Sequence, residues 1–151
     1  MHTFYEDYIE RLEDLIADMK KALDGLPQEA LDWSPGEDMS SIATLAAHTA
    51  GSTRTMVGAV VGGDPIERDR NAEFTIEGVD AAALIASLDE MVEHTRGVVA
   101  KLSLKDMDDM APSPFSGNEF RKSWWLLHAL EHVGSHVGHI QITRQMWDMR
   151  K

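Results

Sequence analysis

The chain contains no cysteine among its 151 residues. This absence excludes disulfide bonds, thiolate metal ligands and a cysteine nucleophile at the same time. A chain of this length has the size of one domain, and it can bury a hydrophobic core without a covalent staple. We therefore expect a single domain that covers residues 1–151.

Basic residues are also scarce. The 14 Lys and Arg residues are outnumbered by 26 Asp and Glu residues, which gives a formal net charge of -12. Nucleic-acid binding needs clustered Lys and Arg side chains for the phosphates, and an anionic membrane surface attracts the same side chains. The composition therefore argues against both kinds of partner.

Long hydrophobic runs are missing as well, because no stretch approaches the ~20 apolar residues that a membrane span requires. The N-terminal segment MHTFYEDYIERLEDL is acidic and amphipathic, which is unlike a signal peptide. We expect a cytoplasmic protein without a membrane anchor.

Four long segments have apolar residues three or four positions apart, which is the spacing of amphipathic helices. The predicted helices run from Thr3 to Leu23, from Ser40 or Ser41 to Gly62, from Asp80 to about Leu102, and from Lys122 or Ser123 to about Met149. Glycine and proline interrupt the chain between them. No strand pair is evident, and AEFTI is the one short candidate for extended structure. The pattern predicts an all-α four-helix bundle.

The core of the bundle is predicted from the apolar stripe of each helix. For the first helix the stripe contains Phe4, Tyr8, Leu12, Leu15, Met19 and Leu23, and for the last helix it contains Leu126, Leu130, Val133, Val137 and Ile140.

Four of the seven histidines lie within twelve residues of the last helix, HALEHVGSHVGH. His128, His132 and His136 follow one another at intervals of four, so they lie along one side of the helix. With about 100° per residue, His132 and His136 border the apolar stripe, whereas His128 and His139 lie further towards solvent. Two histidines four apart can chelate one metal ion, although the glutamate of the zinc-protease motif HExxH is missing here.

A complete site needs a third ligand from another helix, because a catalytic zinc ion typically keeps three protein ligands and one open position. His48 on the second helix, in LAAHTAG, is the first candidate, and His94 on the third helix, in MVEHTRG, is its competitor. His2 lies too close to the N-terminus to be a good ligand. The alternative is that these histidines are ordinary hydrogen-bonded side chains at the edge of the core.

Two segments, SSIATLAAHTAG and HVGSHVGHIQITR, resemble the motifs of the DinB-like family of four-helix proteins. The segments GLPQEALDWSPGEDMSS and RDRNAEF are similar to further family segments, so the resemblance covers nearly the whole chain. It implies a divalent metal ion, zinc or nickel, held by His48, His132 and His136. His139 departs from the family pattern, which has glutamine there, and it is interpreted as a partner of a ligand, an alternative ligand or a surface residue.

The resemblance also implies helices in up-down-down-up order, a long connection between helices two and three (residues 62–79), and a homodimer. Related metal-dependent members act on low-molecular-weight thiols as transferases or isomerases. A bound ion lowers the pKa of a bound water or thiol towards neutrality. Because this chain has no cysteine, such a thiol must arrive as a cosubstrate.

Two hypotheses about function follow, and they belong to different classes. The first is a metal-dependent enzyme, a thiol-using transferase or a hydrolase, that acts on an unidentified small molecule. The second is a non-catalytic bundle that binds a small ligand or a partner chain, with histidines that are structural or respond to pH. The enzyme requires three histidines to converge beside an open coordination position, whereas the binding module requires only a cavity or an exposed apolar patch. The sequence identifies no general base.

Overall fold

The computed structural model describes residues 1–150, and most of them are helical. The long helices are α1 (Thr3–Leu23), α3 (Ile42–Thr53, continued by a π-helical stretch over Arg54–Val61), α5 (Ala81–Val99) and α6 (Lys122–Asp148). The connections contain α2 (Gln28–Asp32), α4 (Arg70–Phe74), a 3-10 turn (Leu104–Asp108) and the strands β1 (Met110–Pro112) and β2 (Glu119–Arg121). Within residues 1–150, none of these helices combines the length and the apolar composition needed to cross a membrane.

Side-chain caps explain where three of the long helices begin. Ser41 Oγ accepts a hydrogen bond from the Thr44 amide at 3.1 Å, and Asp80 Oδ1 accepts one from the Ala83 amide at 2.8 Å. At the start of α1, His2 Nδ1 accepts the Phe4 amide at 3.1 Å. Each cap satisfies an amide of the first turn that has no partner within its helix. His2 therefore caps α1.

The four long helices pack around a shared core. Helix α1 contacts α5 and α6, and α3 contacts the same two helices from the other side. The predicted stripes of α1 and α6 are mostly buried. Leu15 and Leu130 are only partly buried, and Phe4 is 38% exposed, whereas its neighbour Tyr5 is fully buried. Tyr5 can turn inwards because its hydroxyl donates a hydrogen bond to the Ser103 carbonyl at 2.9 Å, which satisfies its polar end.

Two predictions about local structure were wrong. The segment AEFTI is not extended, because its first residues belong to α4, whose first turn is capped by Asp69 Oδ1 accepting the Ala72 amide at 3.0 Å. A strand pair does exist, since β1 and β2 are antiparallel with Ala111 opposite Phe120. Each of these strands has three residues. A period-two pattern cannot be recognised over so short a length.

Helix α5 is shorter than predicted at its C-terminal end. The helix ends at Val99 rather than near Leu102. The amides of Lys101 and Leu102 donate hydrogen bonds to the carbonyls of Val98 and Val99, three residues earlier. This tighter turn leaves the α-helical pattern even though the apolar spacing continues to Leu102.

The C-terminal half of the second long helix is wound as a π-helix over eight residues. The Gly62 amide donates to the Val57 carbonyl, five residues earlier, at 2.9 Å. Extended π-helix is rare, and π turns are frequent at functional sites because they change which residues face a neighbouring element. Here the change of winding begins at Arg54, six residues after His48.

Candidate metal centre

Three imidazoles converge where α3 and α6 pack against each other. His132 Nε2 lies 3.2 Å from Nε2 of His48 and 3.1 Å from Nε2 of His136. One ring nitrogen from each of the three residues lies within 4.8 Å of the other two. The three side chains are partly buried. The sequence-predicted set is therefore brought together in space.

The remaining histidines lie outside this cluster. His94 on α5, the competitor for the third position, pairs instead with Asp64, at 2.8 Å between Nε2 and Oδ2. His128 lies on α6 one turn before His132 and stacks on Trp124, with ring centroids 4.7 Å apart. It also pairs with Glu131 through Nδ1 at 3.3 Å. The structure thus separates His48 from its competitor.

Ser52 determines which tautomer His132 adopts, and so which of its ring nitrogens carries the lone pair. Its hydroxyl lies 2.6 Å from the His48 carbonyl oxygen, one turn earlier on α3, and donates its single proton there. The same Oγ lies 3.3 Å from His132 Nδ1. Because the hydroxyl proton is already used, Oγ can only accept from Nδ1–H. The neutral tautomer of His132 then has a lone pair on Nε2, directed at His48 and His136.

The outer nitrogen of His48 faces a buried ion pair. His48 Nδ1 lies 3.2 Å from Glu73 Oε2 and 3.1 Å from Arg68 Nη2. Glu73 comes from α4, and Arg68 comes from the connection just before it. The Phe74 ring lies next to the same imidazole, with centroids 5.2 Å apart. The long connection between α3 and α5 therefore provides the surroundings of His48.

His139 lies beside the outer nitrogen of His136. The two Nδ1 atoms are 3.5 Å apart, and His139 is exposed. Of the roles that the sequence left open, this position corresponds to a partner of the cluster residue His136 at the protein surface. A neutral imidazole there can accept the Nδ1–H of His136 and leave the Nε2 lone pair of His136 facing inwards.

All three clustered histidines are held neutral at physiological pH. Burial lowers the pKa of His132 to about 3, with a further decrease from the neighbouring imidazoles of His136 and His48. Burial also lowers the pKa of His136 to about 4, and it lowers the pKa of His48. Desolvation disfavours the charged imidazolium, and neighbouring positive charge disfavours it again. Each neutral imidazole therefore has one nitrogen that carries a proton and one whose lone pair is available to a metal ion.

The cluster has the donor chemistry of a divalent transition-metal site. Imidazole nitrogen is a ligand for zinc, nickel, copper and iron ions. Zinc–nitrogen bonds of about 2.0–2.1 Å in a tetrahedral arrangement separate two ligand atoms by about 3.3–3.4 Å. The separations of 3.2 and 3.1 Å measured from His132 are close to this value. Three protein donors also leave at least one position for water or substrate.

Two cavities lie near His48, and neither of them is lined by any of the three clustered histidines. One of about 530 Å³ lies behind the ion pair and is lined by Arg68, Glu73, Gly51 and His94, but not by the three clustered histidines. The other, of about 780 Å³, is lined by Thr44, one turn before His48 on α3, and by Phe74. The same cavity is lined by four carboxylates and by no Lys, Arg or His: Asp32, Glu37, Asp38 and Glu77.

Sequence reasoning missed the residues around the outer nitrogens. Ser52 lies four positions after His48, so the helical spacing that identified the pair on α6 could also have found it. Glu73 and Arg68 gave no such signal, because the segment that contains Glu73 was interpreted as extended. Their contacts with His48 span 25 and 20 residues of the chain.

Solved structures share this fold. A conserved protein from Enterococcus faecalis superposes with a TM-score of 0.78 at 14% identity, covering 96% of this chain and 97% of its own. YfiT from Bacillus subtilis, described as "a probable metal-dependent hydrolase with an unusual four-helix bundle topology", superposes with a TM-score of 0.75 at 16% identity, covering 96% and 88%. A mycothiol-dependent maleylpyruvate isomerase gives 0.68 at 14% identity, covering 93% of this chain and 63% of its own.

The sequence itself identifies the family. No curated protein matches the chain significantly. The family model of the DinB superfamily matches residues 11–140, a range that contains His48, His132 and His136. This match covers most of the chain, and the four-helix neighbours agree with it. The chain belongs to the DinB superfamily.

Proposed function

We propose that the chain is a divalent-metal-dependent enzyme that uses water or a low-molecular-weight thiol as the nucleophile against a small molecule. The observation that carries the proposal is the convergence of three neutral imidazoles through their Nε2 atoms. His48, His132 and His136 are the proposed ligands. Zinc or nickel is the proposed ion, because both accept imidazole nitrogen and tolerate an open position.

The chain's own residues hold and orient the reacting groups. Ser52 fixes the tautomer of His132, and the position of His139 favours the corresponding tautomer of His136. When bound, the ion supplies positive charge that lowers the pKa of a coordinated water or thiol towards neutrality. The cavity lined by Phe74 is the proposed substrate space; none of the three histidines lines it, and it is close to His48 only through the Phe74 ring, whose centroid lies 5.2 Å from that of His48. Its acidic lining favours an uncharged or cationic group of the substrate over an anionic one.

The choice between water and thiol separates two reactions at one site. The absence of cysteine requires any thiol to come from solution. The structural neighbours support both nucleophiles, since one is described as a probable metal-dependent hydrolase and another as a mycothiol-dependent isomerase. We therefore propose thiol transfer as the first reaction to test and hydrolysis as the second.

The test begins with metal content. Untagged protein is analysed by plasma mass spectrometry as purified and after incubation with zinc or nickel. The proposal expects close to one ion per chain, removed by a chelator and restored by the same ion. The metal-loaded protein is then assayed for loss of glutathione or free cysteine in the presence of an electrophile, with ester hydrolysis without thiol as the second assay. A chain that takes up neither ion would exclude the enzyme and favour a non-catalytic ligand-binding bundle.

The up-down-down-up order of the four long helices is part of the same proposal. Three sets of contacts support it. The first set, between α1 and α5, is Glu13 with Arg96 and Lys20 with Asp89, and the second set, between the second long helix and α5, is Arg54 with Glu90 and Gly62 with Val98. The third set, between α1 and α6, is Leu15 with Gly134 and Ala22 with Arg144. Residue numbers run in opposite directions in the first set and in the same direction in the other two. A crystal structure would test this order.

A homodimer in the cytoplasm is the last part of the proposal. An apolar surface at the start of α6 supports a partner chain, because Leu127 is 62% exposed and Trp124 and Met110 lie beside it. Exposed apolar side chains that cluster in this way are typical of interaction sites. Light scattering after size-exclusion chromatography would test the dimer. A monomer at micromolar concentration would contradict it.

A further inference from the structure

We infer that Glu73 is a positioning residue for the metal centre: it orients His48 through Nδ1, is held in place by Arg68, and fits only because residue 51 is glycine. This inference rests on the proposed function, because it assigns the residues that prepare one proposed ligand. It gives a role to the connection between α3 and α5, which sequence reasoning treated only as a link across the bundle.

Arg68 fixes the Glu73 carboxylate with two hydrogen bonds. Arg68 Nε donates to Oε1 at 2.6 Å, and Nη2 donates to Oε2 at 2.7 Å. Both side chains are only 10% exposed. A two-point guanidinium–carboxylate contact sets the orientation of the carboxylate as well as its distance. The carboxylate beside His48 therefore cannot rotate freely.

The contacts of His48 Nδ1 depend on where its proton lies. If Nδ1 carries the proton, it donates to Glu73 Oε2 at 3.2 Å, and if it does not, it accepts from Arg68 Nη2 at 3.1 Å. A neutral imidazole that gives its Nε2 lone pair to a metal ion has its proton on Nδ1. The tautomer that binds metal is therefore the one that donates to Glu73. Carboxylates recur in this position behind metal-binding histidines, where they fix the ring.

Gly51 provides the space that this arrangement needs. A Cβ atom at residue 51 would overlap Glu73 Oε1 and would lie 2.8 Å from Glu73 Cδ and 3.3 Å from Arg68 Nε. Its nearest neighbours are thus all in the ion pair. Alanine at this position must therefore displace the Glu73 carboxylate, and none of the three atoms closest to its Cβ belongs to a proposed ligand.

The structure also offers a matched control on the same continuous helix. A Cβ atom at Gly58 would lie 2.5 Å from His94 Cε1 and 3.2 Å from Asp64 Oδ2. Gly58→Ala therefore crowds a histidine–carboxylate pair as Gly51→Ala does, but the crowded histidine lies outside the cluster.

The experiment measures zinc affinity by competition with a chromogenic chelator. It compares the wild type with Gly51→Ala, Glu73→Gln, Glu73→Ala, the double variant Gly51→Ala/Glu73→Ala, and the control Gly58→Ala. We expect affinity to fall about 10- to 100-fold in each Glu73 variant and in Gly51→Ala. We expect no change in Gly58→Ala. The cobalt-substituted proteins provide an independent readout, because a change in the orientation of His48 alters the visible absorption spectrum.

The double variant separates positioning from general damage to the fold. If Gly51→Ala acts by displacing Glu73, it has little further effect on zinc affinity once Glu73 is alanine. Additive losses would overturn the inference, as would wild-type affinity and cobalt spectra in Glu73→Gln and Gly51→Ala. If Glu73→Ala does not fold, Glu73→Gln and Gly51→Ala still decide the question. Failure of the proposed function gives a different result, because the wild type itself would then bind no zinc.

Discussion

The second long helix contains two glycines seven residues apart, and each one makes room for a histidine–carboxylate pair. Gly51 in α3 faces Glu73, the partner of His48. Gly58 in the π-helical stretch faces the pair formed by His94 and Asp64. The nitrogen–oxygen distances are similar, at 3.2 and 2.8 Å. By this local measure the two pairs are alike.

Their surroundings differ in burial and in the environment of the imidazole. The His48 and Glu73 side chains are 12% and 10% exposed, whereas those of His94 and Asp64 are 39% and 41% exposed. The carboxylate of the first pair is also held by Arg68, and the other nitrogen of His48 faces a further imidazole. A histidine–carboxylate pair is therefore a poor indicator of a metal site by itself. Convergence of the second nitrogen with other donors is the distinguishing feature.

The largest effect is expected from a substitution that removes this convergence of imidazoles. His132→Ala deletes the imidazole that lies between His48 and His136, so we expect it to abolish binding of the proposed metal ion. The loss of affinity should exceed the ~100-fold that removal of an outer partner costs. His94→Ala should retain the wild-type metal content. Plasma mass spectrometry of both purified variants checks the prediction, and equal metal loss in the two variants would contradict it.

The next effect tests burial by removing one cation from a buried ion pair and one from an exposed ion pair. Arg68→Met leaves the Glu73 carboxylate buried without its partner, and breaking a buried pair in this way costs about 3–5 kcal/mol. Arg54→Met removes an exposed pair with Glu90, 3.3 Å apart, which is worth ~0–1 kcal/mol. Urea unfolding followed by tryptophan fluorescence measures both free energies. Equal losses would show that the Arg68 pair is solvated.

Helical spacing predicted two of the three clustered histidines, because position along a helix determines the direction in which a side chain points. His132 and His136 are four residues apart, and the position of the apolar stripe placed them next to the core. His48 could not be separated from His94 by residue pattern, since both lie on predicted helices and only tertiary packing brings one of them to α6. The resemblance to a known family made that choice, and in the structure it is His48 that lies beside His132 and His136.

The sequence did not predict the structure of the connections between the long helices. Regular periodicity identified the four long helices, and capping side chains identified two of their starts, at Ser40 or Ser41 and at Asp80, of which the structure has Ser41 and Asp80. The five residues of α4 are too few for a period to appear. The contact of Glu73 with His48 depends on how the connection folds back on α3. A contact of this kind cannot be predicted from the residues next to it in the sequence.

Acid titration tests whether the clustered imidazoles are buried. The quantity measured is again the free energy of unfolding, and the expected difference between proteins is smaller than for Arg68→Met. The folded-state pKa values of about 3 for His132 and about 4 for His136 lie below the ordinary value of about 6.5. The unfolded chain therefore binds more protons than the folded chain below pH 6.5, so the free energy of unfolding of the metal-free protein falls as pH decreases. The decline ends once pH passes below the folded values.

A variant isolates the histidine contribution to this decline. His132→Gln removes one group with a lowered pKa, so its stability should fall less steeply than that of the wild type between pH 6.5 and 5. Carboxylates contribute to both proteins alike, and the difference between the two curves reports the imidazole. Urea unfolding of the metal-free proteins at several pH values provides the measurement. Parallel curves would mean that His132 is protonated equally in the folded and unfolded states.

The smallest effect is expected from a substitution in the exposed pair of His94 and Asp64. Asp64→Asn removes the negative charge from the contact with His94 but keeps a side chain of nearly the same size. Because both partners are substantially exposed, water replaces most of the lost interaction, and we expect a change in unfolding free energy below ~1 kcal/mol with no change in zinc affinity. Glu73→Gln makes the equivalent change at the buried pair and should weaken zinc binding. If Asp64→Asn weakened zinc binding to the same extent, burial and convergence would not be what distinguishes the two regions.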